Sequence, residues 1–207
     1  MNVCDHNTPI SRFLEAAASR QATPGGGSVA ALAGALAAAM GEMAVNYTVG
    51  KKGAEAHADV LQAALGEYHR ARLLLIGLMQ EDQAAYEALT AAKKMPESAE
   101  KKEAMDIALL ACIRIPQSIA ATAMAILDLA DRLVNVANRH LLSDLAVCAE
   151  LAMATLRCAI YNVRVNLPDV SEAAERRLIE ATNEQLLSRA TAAIQRTIPS
   201  IWKRINE

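Results

Sequence analysis

The chain is a succession of long apolar-rich stretches, each closed by proline, glycine or a short polar run. Thr8-Pro9 predicts a helix start, with a hydroxyl at the N-cap and proline at the first helical position, where its missing N–H does no harm. This short helix runs to about Arg20. A second is expected from Ser28 to about Val49, ended by Gly50, with Gly27, Gly34 and Gly41 on one stripe that lets a neighbouring backbone come close. Residues Ala54 to Lys94 contain no proline and read as one long helix, bent at Gly66 or Gly77 if anywhere; about 40 residues would span roughly 60 Å. Pro96 and Ser98 mark a turn. The next helical stretch, about Ala99 to Arg139, should kink or break at Pro116, because proline removes a ladder bond. Ser143 is placed as the cap of the following helix, which Pro168 ends. Ser171 should cap a last amphipathic helix towards Pro199, followed by a short polar tail.

The pattern predicts an all-α antiparallel helical bundle with a long central helix, a single domain over residues 1–207. A bundle with this many apolar faces is expected to form a homodimer that buries the surplus. Composition agrees: 53% of residues are hydrophobic but only 3% aromatic. Alanine, the best helix former, supplies much of the difference. The net charge of −2, from 21 basic and 23 acidic residues, gives no bulk attraction to nucleic acid or anionic lipid, so neither is expected as a partner. The uncharged run from Gln21 to Gly41 is broken by the glycines and falls short of the ~20 continuous apolar residues a bilayer needs. No basic-then-apolar leader opens the sequence, and the cytoplasm is the expected compartment. Cys4, Cys112, Cys148 and Cys158 lie in or beside apolar stretches and read as reduced core thiols. Cys4-Asp5-His6, in a terminus expected to fray, is a weak ligand set, and neither a metal nor a cofactor is expected.

Four places carry candidate chemistry. Pro24-Gly25-Gly26-Gly27-Ser28 precedes a helix, so its backbone N–H groups suit a carboxylate or phosphate, or else the glycines serve a tight turn and bind nothing. It lacks the Gly-Lys-Ser/Thr of a P-loop. Asn138, Ser143 and Asp144 form a polar island in which Asp144 is either an acid–base group or simply complements the helix dipole. Asp82, with Tyr86 one turn later on the same face, is a further carboxylate or an ordinary solvated surface. Asn162 and Asn166, also one turn apart, offer hydrogen bonds to a ligand or to the helix end. Lys51 and Lys52 follow a helix C-terminus, where cations are favourable.

Taken together, Pro24-Gly25-Gly26-Gly27-Ser28-Val29-Ala30-Ala31, Gly50 with two basic residues, Asp82 with Tyr86, Ile115-Pro116, Asn138 five before Ser143-Asp144, and Asn162-Val163-x-x-Asn166-Leu167 resemble the cyclodeaminase/cyclohydrolase family. This domain is fused C-terminally in formiminotransferase-cyclodeaminase and stands alone in bacteria as methenyltetrahydrofolate cyclohydrolase. The order and spacing match from about Ile10 to Ala190. Two features depart: Ala137 stands where the family has glycine, and Gly53 and Ala54 where an aromatic follows the basic pair. The resemblance implies an all-α dimer acting on a reduced folate that carries a one-carbon unit. It implies a catalytic role for Asp144 or Asp82, and substrate contacts for Pro24, Gly25, Gly26, Gly27, Ser28, Lys51, Tyr86, Asn138, Ser143, Asn162 and Asn166. The glycines and Lys51 would hold an anionic part of the folate such as its glutamate tail. Hydrolysis of 5,10-methenyltetrahydrofolate is favoured over the cyclodeaminase reaction, since no formiminotransferase domain lies within these residues; a non-catalytic folate-binding protein is the remaining reading.

Overall fold

The computed structural model describes residues 4–207. Among them six α-helices carry the fold: α1 (Ile10–Ala18), α2 (Gly26–Asn46), α3 (Ala58–Lys93), α4 (Ala99–Leu133), α5 (Leu142–Asn166) and α6 (Ala173–Asn206), with no strand. Helices α2 to α5 form an antiparallel four-helix bundle in which α2 and α4 each pack between α3 and α5, and α6 lies along α4 and α5. The core is built from small side chains of α2, such as Ala30, Ala31, Ala37 and Ala38, against Leu75, Ile126, Leu127, Leu145, Leu156 and Ile160. α2 and α4 are each long and apolar enough to cross a membrane by length and composition; in the fold both are bundle helices.

The glycine stripe of α2 works differently from the expected backbone approach. A Cβ at Gly34 would stand 2.9 Å from the Thr155 methyl, and one at Gly41 would stand 2.4 Å from the Tyr68 ring. Side chains of α3 and α5, not their backbones, fill the notches. Tyr68 is fully buried there, with the Cys148 thiol 3.9 Å from its hydroxyl.

Several helix ends differ from the sequence reading. Pro9 is itself the N-cap residue of α1, because the Thr8 hydroxyl turns back to Asp5. α2 begins at Gly26, so two of the three glycines are helical. α5 starts at Leu142 with Leu141 as its cap residue, and Ser143 makes no cap bond; α6 starts after Glu172, not at Ser171. Cys4 is not frayed: the buried Gln83 amide accepts from its N–H at 2.9 Å and donates to its carbonyl at 2.9 Å. All four cysteines are free, but Cys158 is exposed rather than in the core.

Neither inner proline breaks its helix. Pro116 leaves the Cys112 carbonyl without its i+4 donor, and the Asn166 amide of α5 donates to that oxygen at 3.2 Å. α6 continues through Pro199 to Asn206, so the expected polar tail is helical. Tertiary anchors hold it on both sides: the Thr197 hydroxyl donates to Asp131 at 2.8 Å, Ile201 is fully buried, and Arg204 donates to the Val134 and Ala137 carbonyls.

Candidate active site

The start of α2, the C-terminal half of α3, the middle of α4 and the end of α5 meet around a cleft of about 200 Å³. Its wall includes Thr23, Gly25, Gly26, Gly27, Asp82, Tyr86, Cys112, Pro116, Asn162 and Asn166. Asp82 lies over Gly27 so closely that a Cβ there would be 2.0 Å from its Oδ1. The Ser28 hydroxyl donates to Asp82 Oδ2 at 2.8 Å. Asp82 is therefore no solvated surface residue. Burial raises its pKa above the ordinary aspartate range, opposed by hydrogen bonding from Ser28, and no cation stands beside it among the described residues. A carboxylate partly withdrawn from water and fixed, with no counter-ion, is suited to stabilising a positive centre or accepting a proton.

The glycines let neighbouring side chains close over the start of α2. Asn162 covers Gly26, where a Cβ would be 3.2 Å from the amide nitrogen. Asn162 donates to the Cys158 carbonyl at 2.8 Å, and Asn166 to the Asn162 carbonyl at 2.9 Å as well as to Cys112. These bonds use the amide N–H groups and leave the side-chain oxygens as acceptors at the cleft wall. Tyr86 adds a half-exposed aromatic face one turn beyond Asp82. Pro24 is buried and does not line the cleft, and the Ser28 hydroxyl is committed to Asp82.

The remaining candidates stand at the other end of the bundle. The turn after α2, the link from α4 to α5 and the end of α6 enclose a cavity of about 540 Å³ lined by Lys51, Lys52, His57, Arg139, His140 and Arg204, with Ala54, Ala137 and Asn138. No carboxylate is among its lining residues. Asn138 holds this corner together. Its N–H donates to the Thr48 hydroxyl at 2.8 Å, its amide donates to the Tyr47 carbonyl at 3.2 Å, and its Oδ1 accepts from the His140 N–H at 3.1 Å. Ala137, one of the two departures, is buried in the core. Ser143 is exposed and Asp144 half-buried in the first turn of α5, and neither lines the cleft or this cavity. The 18 residues from Asp144 to Asn162 correspond to about 27 Å of helix, so the two carboxylates are not one site within a chain.

Sequence reasoning missed Thr23 and Cys112 in the cleft and His57, Arg139, His140 and Arg204 in the cavity. No local pattern marks any of them as a ligand contact. Pro116 carried a signal only through its place in the family's motif order.

The family model described as formiminotransferase-cyclodeaminase matches residues 9–185. The chain is 33% identical to a methenyltetrahydrofolate cyclohydrolase of Methylorubrum extorquens over 97% of this chain and 99% of that one. It is 31% identical to the chicken formimidoyltransferase-cyclodeaminase over 79% of this chain, a match that spans 31% of that longer protein. The fold is similar to the crystal structure of a formiminotetrahydrofolate cyclodeaminase from Thermotoga maritima, with a TM-score of 0.82 and 26% identity over 97% of this chain and 96% of that one.

Proposed function

Because the chain belongs to the formiminotransferase-cyclodeaminase family, we propose that it hydrolyses 5,10-methenyltetrahydrofolate to 10-formyltetrahydrofolate, with Asp82 as the catalytic carboxylate. The observation that carries this reading is the half-buried Asp82, fixed by Ser28 over Gly27 and lacking a cation of its own. The substrate's bridging carbon belongs to a cation delocalised between N5 and N10. Asp82 stabilises that charge and takes a proton from the attacking water, which forms a neutral tetrahedral adduct. The proton then passes from Asp82 to N5 as the C–N5 bond breaks, and the adduct's hydroxyl proton leaves as the carbonyl forms. One proton is released overall.

The first N–H groups of α2, around Gly25 to Gly27, favour an anionic or carbonyl edge. Tyr86 packs an aromatic ring of the substrate, and the oxygens of Asn162 and Asn166 accept from it. Lys51 and Lys52 attract its carboxylates, and the working form is a homodimer. The full-length match to a protein named cyclohydrolase favours this reaction over the cyclodeaminase one. In that alternative N10 attacks the formimino carbon, ammonia leaves and the same cation results.

The test follows the near-ultraviolet absorbance of 5,10-methenyltetrahydrofolate against unaided hydrolysis. Saturable loss proportional to enzyme, abolished in Asp82→Asn, supports the proposal. Loss no faster than buffer sinks it, and turnover of 5-formiminotetrahydrofolate alone would establish the cyclodeaminase.

A further inference from the structure

The side of the bundle formed by α2 and α5 is apolar and uncovered. α2 contains a single charged residue, Glu42, and that side chain is paired with Arg72 of α3. A helix apolar on every face belongs in an interior, yet in one chain a full stripe of α2 faces solvent. Val29, Leu36, Tyr47, Val147, Tyr161 and Val165 are 46% to 71% exposed. Two neighbouring helices about 10 Å apart and about 30 Å long offer on the order of 600 Å² per copy, near the roughly 800 Å² per partner of stable interfaces.

We propose that a second copy of this chain packs antiparallel, about a two-fold axis, on the α2–α5 face, bringing its Lys51–Arg139 cavity over the Asp82 cleft to complete the site. Three observations fix the occupant and its direction. The stripes are self-complementary: Leu36 lies midway between Val29 and Met43, Ala154 midway between Val147 and Tyr161, and the two midpoints are level, since Gly34 faces Thr155. A two-fold axis at that level exchanges the two ends of each helix. It also sets Glu150 of one copy level with Arg157 of the other. Both are exposed, and neither has an ion-pair partner in its own chain among the described residues.

Third, the two ends supply what each lacks. The cleft holds a carboxylate without a cation, and the cavity holds two lysines, two arginines and two histidines without a carboxylate. The cleft's 200 Å³ is below the ~300–1,000 Å³ usual for small-molecule sites, so one chain encloses only part of a folate. The partner's cavity then takes the carboxylate end of the substrate whose reacting carbon lies at Asp82.

The site's role rests on the folate reading above; the packing does not, and the experiments separate them. Light scattering should give a dimer, weakened by Glu150→Arg and restored by Glu150→Arg/Arg157→Glu; a monomer, or a dimer indifferent to both, overturns the packing. In a Cys158→Ser background, a short bismaleimide should join Tyr86→Cys subunits to Lys52→Cys subunits after exchange, and no cross-link also overturns it. At substrate well below KM, where the lysine variant is impaired, mixing Asp82→Asn with Lys51→Gln/Lys52→Gln subunits should lift activity above the mean of the two parents, to at least about a quarter of wild type, since half the dimers are mixed and each holds one intact site. Activity no higher than the mean of the parents overturns the shared site. Wild-type protein silent on both folate substrates defeats the functional reading, while the cross-link still decides the geometry.

Discussion

The two ends of the α2–α5 helix pair handle charge in opposite ways. At one end Asp82 is half-buried, held by Ser28 and deprived of a counter-ion. At the other, cationic side chains gather around an open cavity, and two of them already serve the fold: Arg204 donates to the Val134 and Ala137 carbonyls and Arg139 to the Ile205 carbonyl. A carboxylate partly withdrawn from water without a counter-ion is costly and its reactivity is set by its surroundings, whereas exposed lysines cost little and act through long-range attraction. The first end therefore governs the chemical step and the second governs capture of an anionic substrate. A motif that mixes residues from both ends describes two different physical jobs.

The sharpest way to break this division is Asp82→Asn, which should lower kcat by about 10²–10⁴-fold with little change in KM, measured by substrate absorbance. Asp144→Asn should cost less than about tenfold on the same assay, because Asp144 sits at the capture end; equal losses would erase the distinction. The first substitution also has a thermodynamic signature. Burial raises the Asp82 pKa, so the folded state binds more protons than the unfolded one between the ordinary aspartate value and the raised one. Stability then falls as pH rises through that window, and the cost is fully present above the raised value. Asp82→Asn should stabilise the protein at neutral pH and flatten that part of the profile, as read by denaturant titration across pH.

Glycine substitutions sharpen the contrast between chemistry and packing. Gly27→Ala drives a methyl into the Asp82 carboxylate and should cost activity far more than stability. Gly41→Ala meets the Tyr68 ring, away from the cleft, and should lower stability by about 1–3 kcal/mol with kcat retained. Asn166→Ala should destabilise by about 1–2 kcal/mol, since it abandons the Cys112 carbonyl that Pro116 leaves bare. The same change in a Pro116→Ala background, where the helix regains its own N–H donor, should cost less; an unchanged penalty in that double-mutant cycle would refute the link. The smallest expected effect is Lys51→Gln, a several-fold rise in KM with kcat intact and stability within about 0.5 kcal/mol.

Much of the bundle was legible in the residues themselves. Alanine-rich stretches bounded by Gly50, Pro96 and Pro168 determine where helices lie, and Ser98 does cap α4, accepting from the Lys101 N–H at 3.2 Å. These are local effects, carried by propensity and by the first and last turns. Local competition cost one cap, since Thr8 turns back to Asp5, but at the prolines a distant partner overrode a local rule. Pro116 and Pro199 do not break their helices, because Asn166 serves one orphaned carbonyl and Asp131 with the α4 terminus anchors the other helix. Ser143 is not a cap, because the Asn138 corner lets a short turn at Arg139–Leu141 lead into α5.

The site divides the same way. The sequence by itself determined the helical class, the glycine-led start of α2 and the set of polar residues able to do chemistry. Only the tertiary structure decided that Asp82 rather than Asp144 faces the glycines, and that Lys51 and Asn138 stand a helix length away. Burial and proximity of a charge depend on which helix face meets which neighbour, and that is fixed by packing between segments some 50 or more residues apart, not by any local pattern.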